Sequence, residues 1–200
     1  MDGVYEMRQS FWKKVLAAWL SFLLIFMASL VPGLDGTAAE GAVTVSAPSA
    51  ILLEAQTGTV IFEKDADRIC SPASITKIMT VLLALENCQM DEEVTFSHNA
   101  VYSIDYGSSS IARDEGEVLT VEECLYAIML ESANECANAI AEHISGSTEE
   151  FANLMNQRAA ELGCTNTHFA NPSGLPNEEH YTSAHDMALI TSEATKHEEF

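Results

Sequence analysis

The sequence predicts a mixed α/β (α+β) domain in which a helical cluster packs on an antiparallel sheet. Two short apolar runs, residues 50–55 and 59–63, flank Gln56-Thr57-Gly58 and have the pattern of a β-hairpin. Most of the later chain carries apolar residues at helical spacing, interrupted by glycines and capping residues. Helices therefore outnumber strands, and the hairpin is the only part of the sheet that is plainly predicted.

Five helices follow from the apolar spacing. The first, 73–88, comes directly after Pro72 and is apolar around most of its circumference, so it should run through the core. The second begins at Thr120, where Glu123 completes a capping box. Three further helices, bounded by glycine stops or a serine cap, are predicted over 134–144, 148–162 and 184–196. Between the helices lie a short predicted strand and two irregular segments, 93–97, 107–116 and 165–175.

The charge balance excludes two classes of protein. The 200 residues contain 9 Lys and Arg against 30 Asp and Glu, which gives a formal net charge of -21. Such a chain is repelled by phosphate backbones and by anionic headgroups. We therefore expect neither a nucleic-acid-binding protein nor a polybasic protein of the membrane surface.

Residues 1–39 have the composition of a secretory signal peptide. Three basic residues, Arg8, Lys13 and Lys14, precede an uncharged apolar run over 15–31, and small residues follow at 37–39. The alternative is an uncleaved anchor, because this run has the minimum length for crossing a bilayer. Both interpretations imply export, with the membrane contacted only through this segment. Residues 40–49 are then a short leader, and 50–200 the folded domain.

The cysteines predict free thiols. There are five of them, an odd number, and their spacing contains no C-x-x-C pair: Cys70, Cys88, Cys124, Cys136 and Cys164. We expect mostly buried thiols that act as small apolar residues, without a disulfide framework, a metal motif or a redox motif. His180 and His185 face different sides of a helix, so they are interpreted as structural residues.

The strongest local signal is Ser71-Pro72-Ala73-Ser74-Ile75-Thr76-Lys77. Ser74 and Lys77, three residues apart on a helix, share a face with side-chain roots about 5 to 6 Å apart. A lysine among apolar side chains has a lowered pKa and can accept the serine proton. A nucleophile and its base are thus predicted within one helical turn. The alternative is a capping serine beside a solvated lysine.

A second triplet, Ser132-Ala133-Asn134, lies in the predicted break between two helices. A hydroxyl that relays a proton and an amide that hydrogen-bonds a peptide group would project there together. The neighbouring acids Glu131, Glu135 and Glu142 are interpreted as chance neighbours in an acidic chain.

With both motifs, the stretch from Ala50 to about Ile190 resembles the serine-type D-alanyl-D-alanine carboxypeptidases, the low-molecular-mass penicillin-binding proteins. Residues 71–80 are similar almost letter for letter to the nucleophile segment of that family, and Ser132-Ala133-Asn134 matches its S-x-N motif. Residues 171–175 and 180–188 also look like family segments. The resemblance implies a β-lactamase/transpeptidase-like fold located in the cell envelope, outside the cytoplasmic membrane.

The resemblance also implies roles for individual residues. Ser74 is then the acylated nucleophile, Lys77 its base, Ser132 a proton relay and Asn134 a substrate-binding side chain. The implied reaction removes the terminal D-alanine from peptidoglycan stem peptides, and β-lactam antibiotics would acylate the same serine as covalent inhibitors. No metal or cofactor is implied.

The sequence departs from the family at its third motif. No Lys-Thr-Gly occurs in the 200 residues, whereas in the family this motif lies on a late strand and supplies a second oxyanion donor. Losing one such donor typically costs about 10²- to 10³-fold in rate. We therefore expect a truncated member without the C-terminal strands. Two alternatives stay open: a catalytically incompetent remnant or peptidoglycan-binding fragment, and a class A β-lactamase, which normally has Asp where this chain has Ala133.

Overall fold

The computed structural model describes residues 43–200, of which Val45–Phe200 cluster as one unit. The segment interpreted as a signal peptide, 1–39, lies outside the described residues. The elements in chain order are β1 Ala50–Leu53, β2 Val60–Lys64, a 3-10 turn Ala73–Thr76, α1 Lys77–Asn87, β3 Glu93–Thr95, α2 His98–Tyr102, β4 Val118–Thr120, α3 Val121–Leu130, α4 Asn134–Ser145, α5 Thr148–Glu161 and α6 Ala184–Ala194. Within the described range, every helix is too short or too polar to cross a membrane.

The predicted N-terminal hairpin is confirmed. Strands β1 and β2 pair antiparallel, from Ala50 opposite Lys64 to Leu53 opposite Val60, with an irregularity between Leu52 and Leu53. Helix α6 packs against β1, so the two ends of the described chain lie together. The hairpin thus provides the sheet on which a helix rests, as the α/β class requires.

A second two-stranded sheet was not fully predicted. Strand β3 pairs antiparallel with β4, with Glu93 opposite Thr120 and Thr95 opposite Val118. The sequence predicted β3 but neither β4 nor the five-residue helix α2, because three to five residues are too few to establish an apolar period.

The helix predicted over 73–88 differs at its start. Its first turn, Ala73–Thr76, is a 3-10 turn, and the α-helix begins only at Lys77. Ala73 has φ 48°, in the left-handed region, which an α-helix does not contain. In 3-10 geometry residues i and i+3 eclipse each other, so Ser74 is aligned with Lys77 even more directly than in an α-helix.

The core consists of two apolar clusters that share α1 and α4. One includes Val94, Phe96 and Ile128 from the β3–β4 and α3 side, and the other includes Phe151 and Phe169 from the α5 and α6 side. Fully burying side chains of this size contributes about 1.5 to 3 kcal/mol each. Because α1 and α4 pack directly on each other between the clusters, the residues that begin these two helices are held at a fixed separation.

Three of the five cysteines are buried. All five thiols are free, with Cys88, Cys124 and Cys136 buried, Cys164 half-buried and Cys70 exposed.

The predicted helix caps are also present. Thr120 accepts a hydrogen bond from the backbone N–H of Glu123, whose carboxylate in turn accepts the backbone N–H of Thr120, which completes the capping box of α3. The predicted cap Ser183 begins α6 through its hydroxyl oxygen, and Ser147, for which no cap was predicted, begins α5 in the same way.

The capping box gives the first prediction. Thr120→Val keeps the side-chain shape but removes the hydroxyl, so it should lower the free energy of unfolding by about 1 kcal/mol in urea denaturation. Thr165→Val, at an exposed threonine outside the helices, is the control and should change that free energy by less than about 0.5 kcal/mol. Equal losses in the two variants would show that the hydroxyl of Thr120 does not stabilise the helix.

Candidate active site

Two helix N-termini meet at the predicted site. Lys77 is the first residue of α1 and Asn134 the first of α4, while Ser74 and Ser132 lie in the turns that precede these helices. The packing of α1 on α4 therefore determines where the four side chains lie relative to one another.

The four predicted residues form one hydrogen-bonded cluster. The Ser132 hydroxyl donates to Ser74 Oγ at 2.9 Å, and Lys77 Nζ lies 3.4 Å from the same oxygen. Lys77 Nζ also donates to Asn134 Oδ1 at 2.7 Å and to the backbone carbonyl of Ser173 at 2.7 Å. The Ser173 carbonyl was not predicted as part of the site, although it lies in a segment, 171–175, that resembles the family.

The serine and the lysine differ in exposure. Ser74 is exposed, whereas only 2% of Lys77 is accessible to solvent. Burial lowers the pKa of Lys77 from 10.5 to about 8, and the negative charge of Glu135 offsets part of that effect. The cluster therefore combines a hydroxyl open to a substrate with an amine that loses its proton at a moderately alkaline pH.

Two non-glycine residues of the site have left-handed backbone conformations. Ala73, directly before Ser74, has φ 48°, and Ser132 has φ 58°. Conformations of this kind cost about 1 to 3 kcal/mol and persist where surrounding contacts enforce them. Here the enforcing contacts include the N–H of Ala133, bonded to the Ala127 carbonyl, and the N–H of Asn134, bonded to the Ser109 carbonyl. These two bonds tie the turn that carries Ser132 to helix α3 and to the segment 107–116.

Glu135 is a candidate for a role in the site, although its sequence position was interpreted as that of a chance neighbour. Its buried carboxylate accepts hydrogen bonds through Oε1 from the hydroxyl of Ser110 at 2.7 Å and from the N–H of Ile111 at 2.6 Å. Its other oxygen, Oε2, is buried without a hydrogen-bond partner among the described residues. Glu135 therefore ties the irregular segment 107–116 to the site and places a negative charge near Lys77. Its position next to Asn134 was the one available signal.

The irregular segment 165–182 packs against the 3-10 turn that carries Ser74. His180 accepts the N–H of Ala170 at Nδ1, so its Nε2 carries the proton and donates to Thr76 Oγ1 at 2.8 Å. Burial, with a smaller effect of His168, lowers the pKa of His180 to about 4, so the ring stays neutral. The Thr80 hydroxyl donates to the Pro172 carbonyl at 2.6 Å. These contacts give His180 a structural position, which agrees with its interpretation from the sequence.

Gly174 allows the segment 165–182 to approach the 3-10 turn Ala73–Thr76 closely. It has φ +84°, and a Cβ placed on it would lie 1.9 Å from the carbonyl oxygen of Ala73 and 2.9 Å from Thr76 Oγ1. Neither distance leaves room for a Cβ, so only glycine fits at position 174 beside the 3-10 turn.

The comparison with known families agrees with this geometry. The family model Peptidase_S11, described as D-alanyl-D-alanine carboxypeptidase, matches residues 36–200. The chain belongs to this family.

Curated members of the family are similar to this chain. D-alanyl-D-alanine carboxypeptidase DacF of Bacillus subtilis (strain 168) is 45% identical over 157 residues, which cover 76% of this chain and 40% of DacF. DacA of Escherichia coli (strain K12) is 35% identical over 162 residues, which cover 77% of this chain and 40% of DacA. The chain thus spans about two fifths of the length of these relatives.

Solved structures of the family have the same fold. The Streptomyces K15 DD-transpeptidase matches with a TM-score of 0.72 and 35% identity, over 79% of this chain and 64% of that protein. DacD from Francisella tularensis matches with a TM-score of 0.71 and 37% identity, over 75% and 37% of the two chains. The predicted α/β class and its transpeptidase-like fold are confirmed.

Gly174 provides the second prediction. Gly174→Ala should cost both a left-handed backbone conformation and a steric clash with Ala73, so it should lower the free energy of unfolding by about 2 to 5 kcal/mol. Gly163→Ala is the matched control, since Gly163 has φ +86° and open space around it. It should cost only about 1 to 2 kcal/mol. Urea denaturation of both variants measures the difference, and equal losses would refute the close approach.

Proposed function

We propose that residues 50–200 supply the N-terminal, nucleophile-bearing part of a serine-type D-Ala-D-Ala carboxypeptidase. Ser74 is the nucleophile, Lys77 its base, Ser132 the proton relay and Asn134 a substrate-binding side chain. The observation that carries this proposal is the position of the Lys77 amine, buried and 3.4 Å from an exposed serine oxygen. The family membership supports the same assignment.

The contacts of Lys77 suggest how it acts as a base. A protonated amine has three N–H donors, and here three oxygens surround it, two at 2.7 Å and Ser74 Oγ at 3.4 Å. When the amine is neutral, its two remaining N–H groups can keep the two shorter bonds, to Asn134 and the Ser173 carbonyl. The lone pair then points toward Ser74. The two close acceptors thus orient the base toward the nucleophile.

The reaction follows from this arrangement. Ser74 Oγ attacks the carbonyl carbon of the penultimate D-alanine while its proton passes to the Lys77 amine. The peptide C–N bond then breaks, and the departing D-alanine amine takes a proton from Lys77 through the Ser132 hydroxyl, which is 2.9 Å from Ser74 Oγ. Water hydrolyses the resulting ester and regenerates Ser74. Proton transfer among these side chains accounts for every step, so the mechanism uses no cofactor.

The proposed substrates are peptidoglycan stem peptides that end in D-Ala-D-Ala. β-Lactam antibiotics are the proposed covalent inhibitors, because their strained amide offers Ser74 the same kind of carbonyl. We further propose that the protein is exported through residues 1–39 and acts in the cell envelope, outside the cytoplasmic membrane, where this substrate lies. The curated relatives are named for this activity.

Two alternatives are tested against this proposal. One alternative is a catalytically incompetent or peptidoglycan-binding protein. The class A β-lactamase alternative has less support, because Ala133 stands where those enzymes normally have Asp.

Covalent labelling with a fluorescent penicillin is the third prediction. The protein should form a long-lived adduct that is located on Ser74 by mass spectrometry of the peptides, and it should release D-alanine from a stem pentapeptide. Ser74→Ala should reduce both signals at least about 100-fold, because the acyl bond has no other acceptor. Ser71→Ala, at an exposed serine of the same segment, is the control and should retain both.

Other outcomes of the labelling would contradict the proposal. If the wild-type protein is not labelled, the incompetent or peptidoglycan-binding alternative is correct. Rapid hydrolysis of the penicillin, without a lasting adduct, would identify a β-lactamase. Adducts that persist in Ser74→Ala would assign the nucleophile to a different residue.

The pH dependence of acylation is the fourth prediction. Since the pKa of Lys77 is about 8, its neutral fraction is about one tenth near pH 7 and about nine tenths near pH 9. The acylation rate should therefore rise about tenfold between these values and level off above them. Stopped-flow measurement of penicillin acylation across this range gives the midpoint.

Two variants test whether the charge of Glu135 sets the midpoint of this pH profile. Glu135→Gln keeps a side-chain oxygen for Ser110 and Ile111 but removes the charge that raises the pKa of Lys77, so the midpoint should move to lower pH. Glu131→Gln removes an exposed charge next to Ser132 and should leave the midpoint in place. A midpoint that moves upward in Glu135→Gln, or equally in both variants, would argue against Lys77 as the base.

A further inference from the structure

A second group of chemically versatile side chains lies at the far end of α4 from the serine. Cys88 directly follows α1, Glu92 directly precedes β3, and His143 lies in the last turns of α4. The Cys88 sulfur, a Glu92 carboxylate oxygen and a His143 ring nitrogen all lie within 4.8 Å of one another. His143 is nine residues along α4 from Asn134, about 13 Å along the helix axis. The proposed peptidase mechanism uses none of these three residues.

We propose that Cys88, Glu92 and His143 form a binding site for a divalent transition metal of the zinc type. Thiolate, imidazole and carboxylate are the three ligand types that zinc uses in proteins, and a three-residue site leaves a fourth position for water. With zinc–ligand bonds of about 2.0 to 2.3 Å, tetrahedral ligand atoms lie about 3.3 to 3.6 Å apart. His143 Nε2 and Glu92 Oε2 are 3.0 Å apart, slightly less than that range, and no two of the three ligand atoms are more than 4.8 Å apart.

The carboxylate is already oriented for this role. Glu92 Oε1 accepts the backbone N–H of Gln89 at 2.7 Å, and this contact leaves Oε2 directed at the His143 ring. In metal sites, a hydrogen bond to the non-coordinating atom of a ligand residue commonly holds that residue in its orientation. The same turn of chain, 88–92, thus carries the sulfur, the carboxylate and the contact that orients the carboxylate.

Binding has a defined proton balance. A cysteine coordinates a metal as the thiolate, so the Cys88 thiol releases one proton to solvent when the metal binds. In the free protein His143 Nε2 donates a hydrogen bond to the Glu92 carboxylate. Coordination through Nε2 therefore moves this proton to Nδ1, which leaves a neutral imidazole. No oxidation or reduction is involved. The net charge of -21 attracts divalent cations to the surface and assists their entry.

The site differs from the exposed acidic groups of this chain in its buried sulfur ligand. Cys88 is 8% exposed, whereas His143 is exposed, so an ion can enter from the histidine side and reach the thiol. A bound ion would link the end of α1, the start of β3 and the last turns of α4. Because the unfolded chain does not hold these three residues together, the ion would raise the melting temperature.

The fifth prediction is a metal titration of the whole protein after treatment with a chelator. Cobalt(II) alone should bind with a stoichiometry of one and produce the near-ultraviolet charge-transfer absorption of a cobalt–thiolate bond, which carboxylates do not give. Zinc(II) alone should abolish this absorption and raise the melting temperature. Cys88→Ser should eliminate the absorption, and His143→Gln should weaken cobalt binding at least about tenfold.

Matched variants control for general effects of the substitutions. Cys164→Ser removes a half-buried thiol elsewhere, and His98→Gln breaks a surface pair in which His98 Nδ1 lies 2.8 Å from Glu115. Both should bind cobalt as the wild-type protein does. The proposal is overturned if the wild-type protein shows no thiolate absorption, if the absorption survives in Cys88→Ser, or if His98→Gln weakens binding as much as His143→Gln. Since His143 is exposed, its variant keeps the test decisive even if Cys88→Ser does not fold.

Discussion

The amine of Lys77 is held away from water by the Asn134 amide oxygen and the Ser173 carbonyl oxygen, each 2.7 Å away. A buried amine with poor hydrogen bonds would be costly, so the surrounding segments must supply these acceptors in fixed positions. Helix α4 brings Asn134, and the segment around 173 brings the carbonyl. The Lys77 amine is therefore enclosed by three segments together: the 3-10 turn before α1, the turn before α4 and the segment 165–182.

The apolar core gives this arrangement its rigidity. Helices α1 and α4 begin at the site and then continue between two apolar clusters, so the first residue of each is anchored by several turns of buried side chains behind it. The functional groups themselves belong to turns and helix ends, where the left-handed conformations of Ala73 and Ser132 are possible. A regular helix or strand would not direct the two hydroxyls at each other in this way. Functional sites commonly place their side chains on strained turns that a rigid scaffold holds in position.

Much of this organisation is visible in the sequence, for identifiable physical reasons. The hairpin and the caps at Thr120 and Ser183 depend on local chemistry, and local chemistry can be predicted. The apolar surroundings of Lys77 in the sequence correctly indicated that its amine is buried. Short elements such as β4 and α2 escaped prediction because they owe their conformation to contacts with distant segments.

Contributions to the site from outside the motifs were also missed. The Ser173 carbonyl is a backbone group, so no residue type marks it in the sequence. Glu135 looked like one acid among many, and only its burial and its bonds to 110 and 111 distinguish it. The cluster of Cys88, Glu92 and His143 has no recognisable spacing, because α4 brings the histidine back to the 88–92 turn from about fifty residues further along the chain.

The contacts that enclose Lys77 join distant parts of the chain, and this has a consequence for the order of assembly. The bond to the Ser173 carbonyl spans 96 positions, and the bond between Thr76 and His180 spans 104. A contact of such long range can form only after the chain between its partners has closed into a loop. A chain in which the segment 165–182 has not docked leaves the Lys77 amine without one of its two close acceptors. If Ser74 and Lys77 act as proposed, the docking of this segment is the step that completes their surroundings.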